Sequence, residues 1–122
     1  MSWTEPHLIK ESLAELADAE YQERVWLGTS NEVGSPGEAL AQLVDDSGLG
    51  DALEAGSTIY DSFIDEGLEA LIRALASVAD GRPPADVLSD PAMHDIRRLA
   101  MTSLCAIVRH DAEHSRNGSA ES

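Results

Sequence analysis

Apolar positions along this chain recur at helical spacing. Ile9, Leu13 and Leu16 lie four and three apart, and Ile64, Leu68, Leu71, Ile72, Leu75 and Val78 form a longer stripe. Asp65, Glu66, Glu69 and Arg73 fall off that stripe, the pattern of an amphipathic helix with one face in a core. Near the C-terminus Ile96, Leu99, Ala100, Ser103, Leu104 and Ile107 share one side of a last long helix. Met101, Cys105 and Val108 lie near its opposite side, so "LAMTSLCAIV" is apolar almost all round. Such a helix either sits centrally in a bundle or lends its second face to a partner, and the central position is the expectation.

Local start and stop signals divide the chain into five helices. Thr4 serves as an N-cap with Pro6 in the first turn, and Asp18 restarts the chain before "AEYQERVWL", where Tyr21, Val25 and Trp26 supply apolar bulk. Gly28 then provides a C-terminal stop, and "GTSNEVGSPGEAL" reads as a linker. It closes on Ser35-Pro36-Gly37-Glu38, which has a capping serine, proline at the first helical position and glutamate at the third. Leu40, Leu43 and Val44 continue that helix. After it "ALEAGSTIY" suggests a short helix around Ala52 to Glu54 and then an extended piece. "DGRPP" ends the fourth helix, and Asp90-Pro91 opens the last. The expectation is a compact all-α bundle of about five helices, with residues 1–110 as one domain and 111–122 as a flexible C-terminal tail.

Composition supports helices over a sandwich. Aromatics are 4% of the chain, so Leu, Ile, Val and Ala must build the core. Charge alters the picture more. The chain carries a formal net charge of −15, and residues 35–66 hold eight acids and no base. Residues 91–122 balance four acids against four bases. The acidic block would repel a phosphate backbone, which argues against nucleic-acid binding, and would steer a basic protein toward itself. It would also serve solubility alone. No run approaches the roughly 20 apolar residues needed to cross a bilayer. The N-terminus lacks a basic region followed by a long apolar stretch, so a cytoplasmic location is expected.

Candidate chemistry concentrates in "LVDDSGLGD", Leu43 to Asp51. As a calcium loop beginning at Asp45 it has Ser47 at position three and Gly50 at six, but Leu49 at five and Gly56 at twelve. As a phosphate cradle it lacks the third glycine, where Leu53 stands, and Asp46 and Asp51 would meet the anion with like charge. A corner between helices fits better, with Gly48 and Gly50 permitting the turn and Leu49 inward. "HDAEH", His110 to His114, matches the H-x-x-E-H spacing of certain zinc peptidases, but only eight residues follow to supply a third ligand. Cys105, the lone cysteine, falls in an apolar run and reads as an inert buried thiol. No Gly-x-Ser-x-Gly elbow occurs. The chain is therefore expected to be neither an enzyme nor the holder of a cofactor or metal. Trp26 reads as core or groove-lining, and Trp3 as a terminal ring packed back on the bundle.

In "LADAEYQERVWLG", "EALAQLVDDSGLGDALEAG" and "RPPADVLSDPAMHDIRRLA" the chain resembles a group of short acidic actinobacterial proteins, some of them regarded as immunity-type, toxin-neutralising proteins. The resemblance spans roughly Leu16 to Leu104 and brings no catalytic residues with it. It implies an inhibitor or interaction protein. On this reading Asp45, Asp46, Asp51, Glu54, Asp61, Asp65 and Glu66 cover the basic cleft of a partner such as a nuclease toxin, and Trp26 and Tyr60 serve as buried anchors. The alternative is a homo-oligomeric structural or regulatory protein with a small-ligand or metal site; a homodimer would use the second face of the last helix.

Overall fold

The computed structural model describes the backbone of residues 4–28, 34–56 and 58–121, and side chains within those ranges through residue 114. Trp3 and the centre of the linker, residues 29–33, lie outside the described residues. The elements in order are α1 (Pro6–Ala17), α2 (Ala19–Trp26), α3 (Pro36–Ala41), a π turn (Gln42–Asp46), α4 (Leu49–Glu54), α5 (Ser62–Ala79), α6 (Pro84–Ser89) and α7 (Ala92–Glu121). The fold is an all-α bundle, with no strand among the described residues.

Sequence signals account for most boundaries. Asp18 is extended between α1 and α2, and its Oδ1 accepts from the Tyr21 N–H at 3.1 Å. Ser35 Oγ accepts from the Glu38 N–H at 3.1 Å with Pro36 in the first turn, and Asp61 Oδ1 accepts from the Ile64 N–H at 2.8 Å. At α1 the cap differs from expectation. Glu5, not Thr4, is the N-cap, and its side chain makes no capping bond. Pro6 presets the first turn, while the Glu5 N–H is engaged by the Ser47 carbonyl at 2.7 Å.

The short helix expected around Ala52 to Glu54 is present as α4, which begins three residues earlier at Leu49. One unexpected helix, α6, occupies Pro84–Ser89, where prolines suggested only a break. Pro84 stands in the first turn of α6, where its missing N–H has no helical partner to lose, and Val87 is fully buried. Ile59 and Tyr60 form a bend rather than an extended piece.

The core is aliphatic. Ile9, Leu13 and Leu16 of α1, Leu68, Leu71 and Leu75 of α5, and Ile96 and Ile107 of α7 are at most fractionally exposed. Each such side chain contributes on the order of 1.5–3 kcal/mol by leaving water. α7 packs chiefly against α1 and α5, with Ala100 and Ser103 also buried. Its second face departs from the expectation of a central helix. Met101 is 50% and Val108 54% exposed, and Cys105 is an exposed thiol rather than a buried one. The reason is positional: α1 and α5 supply most of the packing on α7, and Met101, Cys105 and Val108 lie where that packing leaves them exposed. Lys10 Nζ meets Asp111 Oδ2 at 2.9 Å, and the backbone remains helical to Glu121, so the segment expected as a tail begins as a continuation of α7. Among the described residues no helix is long and apolar enough to cross a membrane.

Candidate functional site

Ser47 organises the corner that the acidic loop makes. It is fully buried; its hydroxyl donates to the Leu43 carbonyl and accepts from the Leu49 N–H at 3.2 Å. Gly48 adopts φ 78°, a left-handed conformation that costs glycine little and ends the π turn. Leu49 drops fully into the core, as its place between the two glycines predicts. Gly50 has a different role from the expected one. It is helical, and it lets α4 lie against Val44, whose Cγ1 would stand 2.5 Å from a β-carbon there.

That close approach folds the π turn and α4 back beside α5 and leaves a groove of about 510 Å³. Val44, Leu53, Ile72 and Ala76 supply its apolar lining. Asp45, Asp51, Glu54 and Glu69 line it with carboxylates, against the single guanidinium of Arg73. Three of the expected partner-binding acids thus converge: Asp45, Asp51 and Glu54. The opposite wall, Glu69 and Arg73, was legible in sequence only as polar positions one turn apart beside the α5 stripe. A π turn beside the groove fits the frequent placement of such irregularities at functional surfaces.

The remaining expected residues go elsewhere. Asp46 is exposed but does not line the groove. Asp61 caps α5, and Asp65 turns back on the chain, its two oxygens accepting from the Ile59 and Tyr60 N–H groups at 3.0 Å each. Glu66 lines a separate cleft of about 270 Å³ between α5 and α7, with Phe63, Gly67 and Thr102. Trp26 is 5% exposed and packs in the core, and a further cleft, apart from the acidic groove, touches its edge. Aromatic rings are scarce here, and burying this one removes the most apolar area.

Tyr60 is half-buried, with its ring edge-on to His110 at 5.4 Å between centroids. Its hydroxyl and the His110 Nδ1 are buried and have no hydrogen-bond partner among the described residues. Burial first, then the carboxylates of Asp111 and Asp65, push the Tyr60 phenol up to about 12. The phenol therefore stays protonated at neutral pH. His110 stacks on His114 at 4.0 Å, and the His114 Nδ1 lies 2.9 Å from the His110 carbonyl. The H-x-x-E-H spacing therefore places two rings face against face. Among the described residues no group of three or more His, Cys, Asp or Glu is arranged to hold a metal ion.

The arrangement is suited to binding: a groove with apolar walls and anionic edges accepts a cationic side chain whose neighbours are apolar. Compared with family models, with curated proteins and with solved structures, the chain matches none.

Proposed function

We propose that the chain is a non-catalytic, cytoplasmic protein-binding module, most concretely an immunity-like inhibitor, which seats a basic segment of its partner in the groove between α4 and α5. The observation that carries this reading is the convergence of Asp45, Asp51, Glu54 and Glu69 around the apolar lining of Val44, Leu53 and Ile72. Lysine or arginine heads pair with the carboxylates while their stems and apolar neighbours cover the lining. The net charge of −15 steers a basic partner toward the surface, and occlusion of the partner's own cleft inhibits it. The resemblance to acidic immunity-type proteins points the same way. A second reading, a homo-oligomeric protein, is favoured by the exposed Met101, Cys105 and Val108 of α7.

Quantitative capture from native lysate tests the first reading, comparing the wild-type chain with Asp45→Asn/Asp51→Asn/Glu54→Gln. The expected result is one basic protein retained by the wild type, depleted at least about tenfold by the variant and released by about 0.5 M salt. Equal retention by both chains, or no basic protein retained by either, overturns it.

A further inference from the structure

The exposed side of α7 has its own periodicity. Arg98, Met101, Cys105, Val108 and Ala112 follow one another at steps of three, four, three and four, the spacing of a coiled-coil seam. All five are exposed, with Met101 at 50% and Val108 at 54%. Beside the seam, two heptads apart, stand Asp95 and Arg109, with Thr102 midway between them. These three are also exposed, and neither Asp95 nor Arg109 has an ion-pair partner among the described residues.

We propose that a second copy of this chain covers this face, through an antiparallel pairing of α7 with α7. In that alignment Met101 of each copy packs against Cys105 of the other, and the aliphatic stem of Arg98 lies over Val108. The two-fold axis then crosses the seam at the level of Thr102, and the same rotation brings Asp95 of each copy beside Arg109 of the other. One seam thus forms two symmetric ion pairs at its two ends, about 21 Å apart along the helix. A parallel pairing would set Arg97 against Thr102 and Leu104 against Arg109, joining no opposite charges. The other flank is already engaged within the monomer: Arg97 Nε donates to Gln22 Oε1 at 2.9 Å, and Asp111 pairs with Lys10. The chain's net charge of −15 opposes self-association in general, which makes a locally self-complementary strip informative. Space exists beside the seam, because Ala14, Ala17 and Ala19 leave a cleft of about 500 Å³ next to Met101.

The inference rests on the homo-oligomer reading and is independent of the acidic groove. Sedimentation equilibrium of the reduced full chain, from roughly 10 to 200 µM, should show a monomer–dimer equilibrium. Met101→Glu/Val108→Glu should be monomeric throughout while keeping its far-ultraviolet helix signal. Asp95→Arg and Arg109→Asp should each weaken the dimer about tenfold, and Asp95→Arg/Arg109→Asp together should restore it. A short bismaleimide should join two wild-type chains through Cys105 and fail with Met101→Glu/Val108→Glu. A strict monomer overturns both the inference and the homo-oligomer reading. A dimer indifferent to Met101→Glu/Val108→Glu overturns the inference alone, as does a double charge swap that fails to restore association.

Discussion

A β-carbon on Gly50 would stand 2.5 Å from Val44 Cγ1 and 3.1 Å from the Val44 carbonyl oxygen. The second contact matters more, because a backbone oxygen in the π turn cannot rotate away as a side chain can. Helix propensity alone favours alanine over glycine at this helical position by about 1 kcal/mol. The contact predicts the opposite sign: Gly50→Ala should destabilise the fold by roughly 1–3 kcal/mol. Urea unfolding measures it. Val44→Ala in the same chain should recover only part of the loss, since the carbonyl remains; a stabilised Gly50→Ala would show that α4 does not lie against the turn.

Two aspartates of the acidic block differ in what they hold. Asp65 accepts two backbone N–H groups, from Ile59 and Tyr60, whereas Asp45 is exposed at the groove. Asp65→Asn leaves one oxygen for two donors and places an amide against the other, so it should cost about 1–3 kcal/mol. Asp45→Asn should be neutral or slightly stabilising, because it relieves like-charge crowding. Thermal unfolding of the two variants side by side separates the roles, and equal effects would contradict the assignment.

This difference marks where sequence reasoning reached its limit. The all-α class, the stripes of α1, α5 and α7 and the caps at Asp18 and Ser35 were legible, because each follows from local periodicity or from a backbone N–H three residues away. Leu49 was legible for the same reason. Asp61 and Asp65 were grouped with Asp45 and Asp51 by charge alone. Asp65 is set apart by the donors that the preceding bend, Ile59 and Tyr60, presents to it, a matter of folded geometry, whereas Asp61 caps the Ile64 N–H three residues on, a local signal that grouping by charge passed over. The exposed side of α7 was visible as apolar positions, but whether another helix would cover it depends on the placement of α1 and α5. Glu69 and Arg73 joined the groove only when α4 was folded to face α5, a juxtaposition of residues some 20 positions apart in sequence.

Tyr60 gives a pH test. Its phenol, ordinarily 10.0, is pushed up to about 12 by burial and by the carboxylates of Asp111 and Asp65. As pH rises above about 10 the unfolded chain loses this proton while the folded chain retains it, so unfolding gains relative to the native state. Stability from this group is fully present below about 10, falls between about 10 and 12, and is lost once the folded phenol ionises. Tyr60→Phe should remove that part of the alkaline decline. At neutral pH it should not destabilise, because the hydroxyl is buried without a partner. Denaturation midpoints of both chains from pH 7 to 12 check this, and parallel curves would refute it.

Arg82 joins the ends of three helices. Its Nη1 donates to Asp90 Oδ2 at 2.7 Å and to the Val78 carbonyl at 3.3 Å, and its Nη2 donates to the Asp86 carbonyl at 3.1 Å. Asp90 in turn accepts from the Ala92 N–H at 2.9 Å at the start of α7. The hydrogen bond from Arg82 is the largest cause holding the Asp90 carboxyl below its ordinary 3.8, followed by that from Ala92. With the folded value depressed, the unfolded chain takes up this proton first as pH falls. The contribution is therefore present above about 3.8 and is lost as pH drops through the lower folded value. Arg82→Gln should return the Asp90 carboxyl toward its ordinary value, read by carboxyl-carbon NMR. It should also lower the thermal midpoint at pH 7 more than Asp90→Asn does, because two carbonyls lose a charged donor while the Asn can still accept from Ala92. An unmoved Asp90 titration in Arg82→Gln would mean that the α7 N-terminus, rather than the guanidinium, sets its acidity.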